Sequence, residues 1–182
     1  GGSSGSTPNR FGTEGSRPSV ALAGGTLALN GANTATTVPQ TLNTLSLGSG
    51  NSIITVNRNT AGTPQLVFSG VTQAPGSHVN FTGTSLGSGP TSAPIVRFTT
   101  PPALVGGNGG AGSTTMSIMP GARYGSDWVT HLETSGIRSL TSAEYNNVAN
   151  NDFNLAGVSD NVRVTNLVIA NLPPLLADKT VN

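Results

Sequence analysis

The chain contains no cysteine, which excludes a disulfide framework, a thiolate metal centre and a cysteine nucleophile. Charge is nearly as scarce. Only 8% of the 182 residues are Asp, Glu, Lys or Arg, against about 25% in an ordinary soluble domain, and Lys179 is the one lysine. A formal charge of +1 with arginines scattered singly leaves no electrostatic footprint for nucleic acid or an anionic membrane, and 4% aromatic residues offer few stacking platforms. No apolar run approaches the roughly 18 residues that cross a bilayer. Neither a nucleic-acid partner nor membrane insertion is expected, and no stretch sustains the periodicity of an amphipathic helix.

What the chain does have is short alternating segments closed by Gly, Asn or Pro and then restarted. Thr26-Leu27-Ala28-Leu29, Thr44-Leu45-Ser46-Leu47, Ser77-His78-Val79-Asn80-Phe81 and Pro94-Ile95-Val96-Arg97-Phe98 are variations on one pattern. A period of two buries one face of each strand. Strands are expected at 26–30, 41–47, 52–57, 64–69, 77–82, 94–99, 114–119, 127–132, 136–140, 161–165 and 167–172. Turn chemistry fills the gaps, as in Gly48-Ser49-Gly50 and Pro75-Gly76. Thr141 followed three residues later by Glu144 reads as a capping box opening a turn or two of helix over 142–148.

The expected fold class is all-β, a parallel β-helix (β-solenoid), because stacked coils pair most strand edges and so dispense with charged gatekeepers. An antiparallel β-sandwich is the runner-up. Residues 1–19 read as a flexible Gly/Ser-rich lead-in, and 20–182 as the solenoid segment with an irregular insertion around 106–150, where Trp128 forms a local packing centre. The first residue is Gly1 rather than Met, and Asp178 to Asn182 reads as the opening of another strand. A portion of a longer protein is therefore expected.

Four constellations carry possible chemistry. Gly83-Thr84-Ser85-Leu86-Gly87 matches the G-x-S-x-G elbow that exposes a nucleophilic serine, but Ser88-Gly89-Pro90 cannot open the helix that such an elbow needs. Gly107 to Gly112 matches G-x-G-x-x-G, yet Ser113 to Ile118 reads as strand rather than as the helix whose N-terminus would hold a pyrophosphate. His131 and Glu133 stand two apart, with Asp127 on the same parity, the residue types of a general base or metal site, and Trp128 lies beside them. Trp128, His131 and Glu133 are accordingly the candidate ligand-site residues. His78, alone on an alternating strand, reads as solvent-facing. Asp152 and Asp160 with Asn150 and Asn151 could surround Ca²⁺, although Asx residues at turns more often bond their own backbone. No catalytic, cofactor-binding or metal residue is assigned, and no cofactor is expected.

The runs Gly24-Gly25-Thr26-Leu27-Ala28-Leu29-Asn30-Gly31, Gln40-Thr41-Leu42-Asn43-Thr44-Leu45-Ser46-Leu47 and Asn80-Phe81-Thr82-Gly83-Thr84-Ser85-Leu86-Gly87 resemble bacterial proteins with autotransporter-associated β-strand repeats. Asp127-Trp128-Val129, Gly136 to Leu140 and Ala177 to Asn182 look like segments that recur in the large members of that family. The resemblance implies a large secreted or cell-surface protein with a right-handed parallel β-helix passenger. The expected function is then a non-catalytic structural segment that serves fibre formation, display or adhesion outside the cell. Its partners would be copies of itself or flanking segments by end-to-end β stacking, and surface glycans. A glycan-binding or glycan-degrading β-helix and a tail-fibre shaft are the alternatives.

Overall fold

The computed structural model describes residues 9–31, 39–59, 62–89, 93–148 and 153–164. These residues hold twelve strands and almost no helix: β1 (Val20–Leu22), β2 (Thr26–Asn30), β3 (Pro39–Leu47), β4 (Gly50–Asn57), β5 (Gln65–Gln73), β6 (Ser77–Thr82), β7 (Ile95–Phe98), β8 (Ala122–Tyr124), β9 (Asp127–Leu132), β10 (Gly136–Ser139), β11 (Asn146–Asn147) and β12 (Val162–Arg163). The mostly β character is as the alternation predicts. Two compact units divide the chain: residues 1–103 with 121–139, and residues 104–120 with 140–182.

In the first unit, odd strands form one sheet in the order β1-β3-β5-β7 and even strands enter a second, ordered β10-β9-β8-β6-β4-β2. Pairing is parallel from β1 through β7 in the first sheet and from β2 through β8 in the second. The chain crosses between sheets at glycines. Gly24, Gly50 and Gly76 all have positive φ (85°, 109° and 72°), a region that side chains enter only at a cost, and Gly50 N–H donates to Gly76 O at 3.2 Å. Inward positions then stack in register. Leu42, Phe68 and Phe98 are consecutive partners, with the two rings stacked at 5.8 Å, and Ile54 sits against Phe81. All are essentially excluded from solvent. Burial parity slips by one at Asn43, so that Gln40 and Leu42 point inward before it and Leu45 and Leu47 after it. The chain therefore bends within β3.

A parallel β-helix running through 20–182 is overturned by this arrangement. The strands fall into three sheets, and the second sheet is mixed: β8 pairs β9 antiparallel, and β9 pairs β10 antiparallel. The physical cause is local. Tyr124 lies opposite Asp127 across the two-residue loop Gly125-Ser126, and Gly125 has φ +63°, the geometry of a tight hairpin that reverses the chain. Gly136, φ +69°, begins β10 so close to β7 that a Cβ there would lie 2.2 Å from Val96 O. The antiparallel runner-up is not met either, since the first sheet is wholly parallel.

The second unit is built mainly from loops. The strand expected at 114–119 is reduced to isolated bridges, Val105 with Ile118 and Gly109 with Met116. The capping box at Thr141 opens a single 3₁₀ turn, Ser142–Glu144, not a helix to 148, because β11 begins at Asn146 and pairs with β12. The strand expected at 167–172 lies outside the described residues.

Candidate functional site

Outward positions of the second sheet line up in rungs, because parallel register places like positions side by side. One rung runs Thr26, Ile53, Asn80, Arg123 and Trp128, and the next contains Asn51 and His78. Beside His78 the third position is Gly121, the residue before β8. Its φ is +65°, and an added Cβ would meet Ser77 O at 2.5 Å. Glycine lets the chain approach β6, with Val79 N–H donating to Gly121 O at 2.9 Å, and leaves that rung one side chain short. The gap is a cleft of about 570 Å³ lined by Asn51, Ser52, Ile53, His78, Val79, Asn80, Gly121, Arg123 and Trp128. The Arg123 guanidinium lies 5.0 Å from the centre of the Trp128 ring, a cation–π contact.

The three residues singled out by sequence do not come together. Trp128 belongs to the cleft wall, whereas His131, of opposite parity on the same strand, is buried on the inner side. His131 Nε2 accepts Phe98 N–H at 3.2 Å, and its ring is tilted against Phe98 at 5.8 Å. Ile95 and Thr99 N–H groups bond back to the chain on the β5 side, so the Phe98 N–H points to the free edge of β7. His131 closes that edge. Burial, reinforced by the Arg97 charge, lowers its pKa and favours the neutral ring that can accept this bond. Glu133 is exposed in the turn after β9. His78 is exposed, as expected, and belongs to the cleft.

Ser85 occupies an exposed turn with φ +58°, and among the described residues no imidazole or carboxylate bonds its hydroxyl. The flanking glycines have a packing reason: a Cβ at Gly83 would lie 2.2 Å from Val56 O, and at Gly87 2.2 Å from Ile137 O. In the second unit three N–H groups of the Gly107–Gly112 loop, those of Asn108, Gly109 and Gly112, bond to residues of the same unit. Gly109 donates to Thr115 O at 3.0 Å and Gly112 to Glu144 Oε1 at 2.9 Å, while Thr141 N–H donates to Glu144 Oε2 at 2.8 Å. Asp160 accepts from Thr114 Oγ1 (2.8 Å), Asn146 Nδ2 (2.8 Å) and Gly157 N–H (2.7 Å), bonds that hold its carboxyl below the usual range, the Asn146 bond foremost. It ties its own turn, as Asx residues do. Asn150, Asn151 and Asp152 lie outside the described residues. Among the described residues no three His, Asp or Glu side chains gather as metal ligands, and no helix is long and apolar enough to cross a membrane.

Comparison with family models, curated proteins and solved structures finds no match.

Proposed function

We propose that this chain is a non-catalytic structural segment of a secreted or cell-surface bacterial protein, serving extension, display or adhesion. The observation that carries the reading is how outward polar side chains satisfy one another. Thr55 and Thr82 hydroxyls meet at 2.7 Å, Asn57 Nδ2 donates to Asn30 Oδ1 at 3.0 Å, Ser69 Oγ to Asn43 Oδ1 at 3.0 Å, and Thr72 Oγ1 to Ser46 Oγ at 3.2 Å. Each is a cross-strand pair worth a few tenths to about 1 kcal/mol, needing no counterion. A surface knitted by neutral ladders changes little with the salt and pH of its surroundings, which suits an exposed wall or fibre. The resemblance to autotransporter-associated repeats supports the same reading, and association with flanking segments or copies of itself through sheet edges is proposed with it.

The test is cellular. Antibodies against this chain should label intact cells of the source organism, and external protease should remove the label. A signal found only after permeabilisation would end the extracellular reading, and turnover of any polysaccharide by the purified chain would end the non-catalytic one.

A further inference from the structure

The cleft gathers several polar side chains that do not pair with one another. At four other places on these sheets polar side chains do pair along the rungs. In the cleft Asn51 stands opposite His78, and Asn80 opposite Arg123, with no hydrogen bond between either pair and none to any other described residue from these four side chains. The Arg123 head lies over the Trp128 ring, which orients the guanidinium without using its N–H donors. Ile53, 38% exposed, adds apolar surface beside them. No acidic residue lines the space.

We propose that this cleft binds an acidic sugar, a uronic-acid residue of a polysaccharide. The requirements on the ligand follow from the lining. The Asn51 amide and the His78 imidazole call for groups that both donate and accept, which hydroxyls do, while Asn80 Oδ1 is buried without a partner. An oriented guanidinium with free donors and no acidic neighbour in the cleft calls for a carboxylate, which its planar fork can engage through two bonds. Ile53, exposed beside the Arg123–Trp128 pair, calls for an apolar face, which the C–H side of a pyranose supplies. One ligand class carries all three. The volume lies within the range of small-molecule sites, about 300–1,000 Å³, large enough for a sugar unit and part of its neighbours. A wall segment with or without catalysis could carry such a cleft, so sugar binding stands independently of the structural role.

Trp128 is the chain's only tryptophan, so its fluorescence reports on this cleft alone. The full chain should be titrated with oligogalacturonate, a cello-oligosaccharide of equal length, and polyglutamate. Oligogalacturonate should shift the Trp128 emission saturably below about 5 mM, at least about tenfold more tightly than either comparator, the tenfold being ~1.4 kcal/mol. Added salt should weaken it. Arg123→Gln, at an exposed position, should weaken binding at least about tenfold and abolish the preference over the neutral sugar. Asn51→Ala, also exposed, should weaken it with the circular dichroism melt unchanged. No saturable shift with oligogalacturonate, equal binding of the neutral sugar or polyglutamate, or full affinity in Arg123→Gln would each overturn the proposal.

Discussion

His131 shows how a single side chain can replace a strand: the ring nitrogen takes the outward Phe98 N–H that a further parallel neighbour would have taken. Because the folded state favours the neutral ring, the unfolded chain binds the proton more readily. Stability is then complete above the unfolded value of about 6.5, falls as pH drops below it, and levels off beneath the lowered folded value. Urea melts from pH 8 to about 5 should show this loss, and His131→Gln, whose amide oxygen can still accept the Phe98 bond, should flatten it. An unchanged slope in that variant would mean that other groups govern the acid limb. In the second unit the equivalent residue is Asn161, wholly buried, whose Nδ2 donates to Met116 O at 2.8 Å and Glu144 O at 3.3 Å. Asn161→Ala would remove both of these bonds and should cost about 1–3 kcal/mol in a denaturant melt. A loss under about 0.5 kcal/mol would show that water replaces the amide readily.

At the scale of elements, the β8–β9–β10 hairpins decide where parallel stacking stops, and two glycines with nearly equal φ separate the contributions of conformation and space. At Gly125, φ +63°, an added Cβ would have nothing within 4 Å, whereas at Gly136, φ +69°, the same atom would lie 2.2 Å from Val96 O. Gly125→Ala should cost about 1 kcal/mol, the left-handed penalty alone. Gly136→Ala should cost several times more, because β10 must move off the β7 backbone. Equal losses in chemical denaturation would remove the close approach as the reason for glycine. Within the stacked core, Phe68→Ala should cost about 3–5 kcal/mol, since the ring is fully buried between Leu42 and Phe98 in register. The β3 edge has its own protection: Asn9 accepts Thr41 N–H at 3.3 Å and donates to Thr41 O at 3.0 Å, imitating the pair of bonds a strand would make.

For the molecule as a whole, 8% of residues are charged, and apolar stacks and neutral ladders are prominent among the described residues. Thermal unfolding should therefore shift by no more than a few degrees between low salt and about 1 M NaCl, where exposed ion pairs are screened out. A large shift would reveal an electrostatic contribution that the ladders do not suggest. Association through sheet edges should likewise grow with protein concentration and resist salt, as burial of apolar and hydrogen-bonding edges does. Size exclusion with light scattering reads this directly, and a monodisperse monomer at every concentration would exclude self-stacking.

Strand positions were legible because alternation is a local signal: the segments at 26–30, 77–82, 127–132 and 136–139 fall where period two places them. The β-helix expectation extended parallel pairing along the whole segment, and the mixed second sheet overturns it. The end of parallel pairing was not legible. It depends on a two-residue loop at Gly125-Ser126 and on the fit of Gly136 against Val96 O, and in a chain with 25 glycines neither stands out before the neighbours are in place. The candidate site divides the same way. Trp128 announced itself by being the one tryptophan, but the parity of β9 sends His131 to the opposite face, and only lateral register brings Asn51, His78, Asn80 and Arg123 beside the ring from strands distant in sequence. Sequence thus determined where most strands fall, because alternation is a property of consecutive residues, but not the parity slip within β3. Tertiary structure alone decided which rungs share a face, because register is fixed by packing between strands far apart along the chain.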